Sequence, residues 1–491
     1  MDSRSSDADV VIVGGGPVGL FLASELAPFG IRVIVLERRP TTVDQPRALG
    51  FHCRTVEVFA LRGIHQRFVD RAFGTLPVAF FASLETHLDL TVLDTVYPFG
   101  VLIPQTVTEE VLAERALEVG VDYRRGWKVE EVRETADRVH VSGRHEGGPF
   151  ECTADWVVGA DGARSLVRER VGIDFPGMEA TKSFYFGHVK VSGLAEHGTF
   201  SRENEEGSVL CAHMGEGRYR LVFIDPSRFH VPVREPVSLE EMQDGVRRIV
   251  GPGVTLSEPG WLSRFGNETR LAETYRKGRV FLAGDAAHIH LPAGGQGMGT
   301  GLQDALNLGW KLAGVIRGRA PEALLDSYER ERRPVAAGVC ENTLAQGAVI
   351  TVLGREGDAL RGMVNGFLRV PEVNRRTAEM ITAMGVAYPE PILAGHDVGP
   401  AEFAGRRLTN FELRRADGTT IRLYELLRDG NWLDLEIVPG GEPCPLPPGI
   451  AREWVKRESA GPTDERSFLA QLRSVLIRPD GHVAFARTSG A

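Results

Sequence analysis

The chain lacks what would mark it for export, for a membrane or for nucleic acid. Its five cysteines, Cys53, Cys152, Cys211, Cys340 and Cys444, are scattered over 491 residues without a CxxC pair, which fits neither a disulfide framework nor a zinc site. A reducing cytoplasm is the expected home. No segment approaches the ~20 apolar residues of a transmembrane helix, and the opening MDSRSSDAD carries acids where a signal peptide needs bases. Charge of one sign is missing too: 57 basic residues face 66 acidic ones, a formal net charge of −9, which leaves no electrostatic footprint for nucleic acid or an anionic membrane. Internal repeats and low-complexity tracts are absent. The expected partner is a small, largely apolar molecule, and the length implies two or three domains of ~100–200 residues each.

What is present begins with VVIVGGGPVGL at 10–20. Gly14-x-Gly16-x-x-Gly19 follows a short, β-branched apolar run that reads as a buried strand, and it opens a helical pattern. Such a turn binds a dinucleotide: Gly14 allows the bend, Gly16 lets the backbone approach a pyrophosphate, and Gly19 lets the helix close onto the strand. Pro17 suits the first helical turn, where a missing N–H costs nothing. A second strand, 32–36, ends at Glu37, where this fold places the acid that receives the ribose hydroxyls.

Two other stretches sit at strand ends. GADGARSLVR at 159–168 follows the strand 156–158; Gly162 supports its turn, and Asp161 and Arg168 either bind a ligand or pair with each other. VFLAGDAAHIHLPAGGQGMG at 280–299 restores a buried strand, then offers Asp285 and a run of glycines before a helix at 302–316. Asp285 reads as a contact to a flavin's sugar-alcohol chain or as a helix cap. The helix end offers backbone N–H groups and about half a positive charge. Reduced flavin carries negative charge near N1 and the C2 carbonyl, so such an end would stabilise it by ~1–2 kcal/mol.

Alternating strands and helices are expected over 10–180, with helices near 17–29, 52–62 and 108–119 and a strand near 127–133. A mostly β region follows at 181–270, with two strands in 209–225 around Gly215–Gly217 and a helix opened by the capping box Ser238-x-x-Glu241. If the first and last glycine turns share one cofactor, the β-rich part is an insertion. The expected fold class is thus α/β: a Rossmann-like FAD-binding domain (1–180 and 271–390) with an inserted β-rich substrate domain (181–270). Residues 387–400 read as a linker into a C-terminal domain (391–491) with a helix at 465–474 and strands at 475–478 and 482–487. Only one GxGxxG unit exists, so a nicotinamide donor has no second Rossmann domain and either visits transiently or gives way to another reductant.

With these motifs in this order, residues 1–385 resemble the single-component FAD-dependent aromatic hydroxylases, the para-hydroxybenzoate hydroxylase class. PRALGFHCRTVEVF at 46–59, Pro104-Gln105 and HLPAGGQGMGTGLQDALNLGWKLA at 290–313 look most like bacterial hydroxylases of angucycline and anthracycline polyketides. The tail resembles the thioredoxin-like C-terminal domain of phenol hydroxylase, but with Cys444 alone it has no disulfide chemistry. The resemblance implies FAD, with Gly14, Gly16, Pro17 and Val18 around its pyrophosphate, Glu37 and Arg38 at the adenosine ribose, and Val129 near the adenine. It implies Arg47 and Gln105 by the phosphates or ribityl chain, Asp285 on the ribityl side, and Pro292, Gly295, Gly297, Met298 and Gly299 against the isoalloxazine. The implied cycle is reduction by NADPH or NADH, O2 addition to give a C4a-hydroperoxyflavin, and hydroxylation of a polycyclic aromatic polyketide; the class admits a homodimer.

In that cycle the protein must mostly exclude water, for which Phe184, Phe186, Phe223, Trp261 and Phe265 are the apolar candidates, or else ordinary core. No catalytic base is assigned; His52, His213, Tyr219 and Asn267 are polar residues able to meet a phenol. Baeyer–Villiger insertion, oxidative inactivation of an aromatic antibiotic and redox-silent flavin binding are the competing readings. A halogenase is disfavoured because no W-x-W-x-I-P segment occurs.

Overall fold

The computed structural model describes residues 6–42, 45, 47–194, 198–400, 402–464 and 467–488. Pro46 and the first two residues of the helix expected at 465–474 lie outside them. The nucleotide sheet grows from the buried strand Ala8–Val13, which pairs in parallel with Val33–Glu37 on one side and with Gly148–Gly159 on the other. Gly148–Gly159 pairs in turn with Val280–Leu282, again in parallel. Parallel strands buried on both faces select the Val/Ile-rich runs seen here. Register does the rest: Val13 lies opposite Leu36 and Gly159, and Gly159 lies opposite Leu282. All three motif turns therefore leave the same sheet edge, where ligands of open α/β sheets bind.

The glycines explain how closely the helices approach. Helix Pro17–Leu26 starts directly after Gly16, and a Cβ on Gly19 would overlap the Gly14 carbonyl oxygen. Helix Gly297–Ile316 lies across it, with a Cβ on Gly309 only 2.7 Å from Glu25 Cβ. The expected helix at 302–316 thus begins five residues earlier, inside the glycine run.

Between these segments stands a six-stranded antiparallel sheet. Its central strand Ser183–Ser192 pairs with Arg218–Ile224, with Thr255–Ser257 and with Leu262–Gly266. Helix Leu239–Ile249 covers one face, packing Met242, Val246 and Ile249 against Tyr185, Leu221 and Phe223. Ser238 caps it by accepting from the Glu241 N–H (3.1 Å), but the Glu241 carboxylate binds Arg264 (2.8 Å), so only half of the expected box forms.

Helices Asp326–Thr351, Gly354–Leu368 and Pro371–Thr382 lead to a C-terminal six-stranded sheet. The helix expected at 465–474 is corrected: Phe468–Gln471 forms a single 3-10 turn and Leu472–Ile477 is a strand, paired with both Trp432–Glu436 and Val483–Thr488. Pairing on two sides overrides local helical spacing. This sheet is locked to helix Gly297–Ile316 by buried charge: Arg478 reaches Glu331 through two bonds (2.7 and 2.8 Å) and Asp480, Lys311 joins Glu331 (2.8 Å), and the Trp310 indole donates to Asp480 (3.1 Å). Burial alone would raise the Glu331 carboxyl, yet Arg478 and Lys311 hold it at about 2. Among the described residues no helix is long and apolar enough to cross a membrane, and all five cysteines are buried.

Candidate FAD site

At the first turn the backbone of Gly14 takes φ +111°, a left-handed conformation that a side chain resists, and a Cβ there would strike the Ala160 carbonyl. Gly16 is different. Nothing lies within 4 Å of where its Cβ would stand, so the chain leaves a cradle beside the N–H groups of Val18 and Gly19 at a helix N-terminus. The residues present fit a pyrophosphate.

Glu37 stands at the end of its strand, buried, accepting from the Gly15 N–H (2.9 Å) and from Arg39 (3.0 Å). Arg38 is exposed. Arg39 continues to Glu109 (3.8 Å), and Glu109 accepts from Gln105 (2.8 Å), whose other amide atom accepts from the Ala48 N–H (3.2 Å). One polar chain therefore runs from Glu37 to Gln105 and the segment next to Arg47. Val129 lies near the same strand end, two residues past Trp127, whose N–H donates to the Glu37 carbonyl (2.9 Å).

The remaining two turns meet in one hub. Asp304, fully buried, accepts from the Gly284 N–H (3.1 Å), His288 (2.7 Å) and Arg332 (2.8 Å). Burial opposes its charge, but Arg332 and His288 keep its pKa below the usual value. The neighbouring Asp285 is exposed, and its carboxylate makes no hydrogen bond or ion pair among the described residues; it caps no helix. Arg168 donates to the Ala286 carbonyl (2.8 Å) and so braces the same turn. Asp161 does not pair with it: its carboxylate takes the Ser165 hydroxyl (2.5 Å) and the Leu166 N–H (2.7 Å) at the start of helix Leu166–Arg170, which Ser165 caps by accepting from the Arg168 N–H (3.0 Å).

Beyond Pro292, Gly294 and Gly295 take φ +69° and +65° and aim helix Gly297–Ile316 so that the N–H groups of Gly297, Met298 and Gly299 have no partner within the helix. His52 holds this loop through a 2.7 Å bond to the Gly294 carbonyl, its pKa pushed down by burial.

Opposite lies one face of the antiparallel sheet. Phe184 clusters with Leu291 and Ala293 of the loop and stacks on Phe265 (5.3 Å), and Phe186 meets Trp261 edge-on (4.7 Å). Phe223 is the exception among the five aromatic candidates. It stacks on Tyr185 (4.6 Å) on the helix-covered face and is core. Of the polar candidates, Tyr219 belongs to that core with His213 against it (5.0 Å), and Asn267 is spent on the backbone of Thr181 and Lys182.

Sequence reasoning missed His188 and Arg220, which share the front face through the alternation Phe184, Phe186, His188 and the pairing of His188 with Arg220. Arg220 donates to His188 Nε2 (2.9 Å) and to the Arg47 carbonyl (2.9 Å), tying the sheet to the cofactor segment. Burial, then the charges of Arg220 and Arg218, push the His188 pKa down to about 4, so the ring is a neutral acceptor.

Comparison with known proteins agrees with this geometry. Residues 7–343 match the family model described as an FAD binding domain, and 401–491 match the aromatic-ring hydroxylase C-terminal domain. An uncharacterized aromatic compound monooxygenase of Bacillus subtilis is 40% identical, covering 98% of this chain and 95% of its own length. The anhydrotetracycline hydroxylase of Streptomyces rimosus superposes with a TM-score of 0.87 at 38% identity, covering 98% of this chain and 96% of that one. Aklavinone-11 hydroxylase, solved with FAD and aklavinone, superposes with a TM-score of 0.79 at 26% identity over 98% and 96% of the two chains. The match over two thirds of the chain, together with the hydroxylase-type C-terminal domain, makes the protein a member of the FAD-binding aromatic-ring monooxygenase family.

Proposed function

We propose that the protein hydroxylates a polycyclic aromatic compound of polyketide type, using FAD, O2 and a transient NADPH or NADH. The balance is substrate C–H plus O2, NAD(P)H and a proton giving C–OH, water and NAD(P)+. When bound, FAD supplies the two-electron redox chemistry and the activation of oxygen. The chain's own contributions follow from its geometry. Amides at Gly16, Val18 and Gly19 would hold the pyrophosphate, Asp285 the ribityl hydroxyls, and the N–H groups of Gly297 to Gly299 the edge of the ring that becomes anionic.

One observation carries the reading: Phe184 and Phe265 pack with Leu291 and Ala293 of the glycine loop, on the same sheet as the Phe186–Trp261 pair, beside the helix start where the Gly297 to Gly299 N–H groups have no partner within the helix. A flat, apolar substrate suits that aromatic wall, which also keeps water from the reacting atoms. Neutral His188, fixed by Arg220, is the polar group at its border. The relatives named for anhydrotetracycline and aklavinone support this substrate class. The test is a panel of aromatic polyketides offered to FAD-loaded protein with NADPH and 18O2. Expected is ligand-stimulated NADPH oxidation and a phenol carrying one 18O atom. An ester product would replace the reading with oxygen insertion, and no stimulation by any member would overturn it.

A further inference from the structure

Helix Gly297–Ile316 presents one side to the nucleotide fold and another away from it. Gly301 presses on Val18 and Gly284, whereas Gln296, Gly299, Thr300 and Gln303 recur at helical spacing along a separate cavity of about 430 Å3. Helices Asp326–Thr351 and Pro371–Thr382 close it with apolar side chains that include Val339 and Ile381. The volume falls within the ~300–1,000 Å3 of small-molecule sites.

Charge and polarity decide what fits. At the mouth, Arg376 is engaged by Glu372 (2.7 Å) and Glu379 by Arg375; His52 on the floor is bonded to the Gly294 carbonyl. No unpaired charge asks for an ion. Gln296 and Gln303 are 5% and 6% exposed, and each spends its amide N–H on a carbonyl, Ala293 (3.2 Å) and Gly299 (3.1 Å). Among the described residues their two amide oxygens receive no donor. Asn342, which also lines the cavity, leaves its buried amide Nδ2 without an acceptor among the described residues, so the wall offers both free acceptors and a free donor, which a hydroxyl group, donor and acceptor at once, completes. We propose that this cavity is a second binding site, taking an uncharged phenol of one or two rings whose hydroxyl donates to Gln303 or Gln296 and whose rings lie on Val339 and Ile381. Gly299 and His52 belong to both the cavity and the glycine loop, so occupancy is transmitted to the loop from behind. The proposal stands apart from the choice of substrate.

The test titrates FAD-loaded protein with 2-naphthol by calorimetry, without nicotinamide nucleotide, and repeats it with 2-methoxynaphthalene, which has no donor. Gly338→Phe fills the cavity from a wall position where a Cβ meets open space, and Gln303→Leu removes the acceptor. Both are expected to weaken 2-naphthol about tenfold, as is the methoxy exchange, the scale of one hydrogen bond or one lost contact face. Phe186→Ala, on the opposite aromatic wall, reports any binding at the proposed substrate face and is expected to leave the component weakened by Gln303→Leu unchanged. Should Gly338→Phe fail to fold, Gln303→Leu and the ligand pair decide. Affinity that survives both cavity variants but is lost with Phe186→Ala, or no binding below about 1 mM, overturns the proposal.

Discussion

In the first turn Gly14 and Gly19 are packed against backbone: an added Cβ would meet the carbonyl of Ala160 in one case and that of Gly14 in the other. At Gly295–Gly299 the neighbours are side chains, with His52 3.6 Å from a Cβ on Gly295, His290 3.6 Å from one on Gly297 and Thr55 Oγ1 2.9 Å from one on Gly299. Backbone cannot yield, whereas a side chain can turn. The outer glycines of the first turn are therefore required by the fold, and Gly16 and Gly297, on the proposed function, by what the two turns hold. The same residue type answers to stability in one place and to a ligand in another.

Breaking the comparison starts with the anchor of the second turn. Arg478→Met leaves buried Asp480 without its cation and Glu331 with Lys311 alone beneath the helix that carries Gly297, and losing one partner of a buried ion pair costs about 3–5 kcal/mol; denaturant unfolding should show that loss. Gly19→Ala should cost about 1–3 kcal/mol by overpacking against backbone, read in the same way. Gly16→Val should change stability by less than about 1 kcal/mol, because its side chain enters open space. Its FAD affinity, measured by flavin fluorescence, should nevertheless fall at least about tenfold, the equivalent of 1.4 kcal/mol.

A further effect concerns pH. His188 in the folded chain titrates at about 4, below the ~6.5 of an unfolded histidine. The unfolded chain therefore takes up a proton that the folded one refuses. This contribution to stability is complete above pH ~6.5 and is lost as pH falls toward about 4. Melting temperatures of wild type and His188→Gln followed from pH 7 to about 4.5 should converge if the account holds, since the variant has no such proton to exclude.

The first turn was legible because its constraints are local: a strand, three glycines at fixed spacing and an acid at the next strand end suffice to write it down. The second was legible in kind, but its helix starts at Gly297 because glycines, poor helix formers, disguise a helix whose first turn is left open. The sheet face was the weak point. Phe223 stands opposite Tyr185, not Phe186, and a one-residue difference of register sends a side chain to the other face. Nothing along the sequence fixes that register. His188 and Arg220 were missed for the same reason, since their juxtaposition depends on pairing across 32 residues. The segment 465–474 has helical spacing, but its last residues, 472–474, are drawn into a strand by partners on both sides.

The central claim is that a single FAD reaches both glycine turns, its ring lying on the one at Gly297. The most direct measurement is the visible absorbance spectrum and FAD affinity of Gly297→Ala beside wild type, at matched thermal stability. The account expects a folded protein whose bound flavin shifts its absorbance maxima and binds about tenfold more weakly. An unaltered spectrum together with unaltered affinity would contradict it.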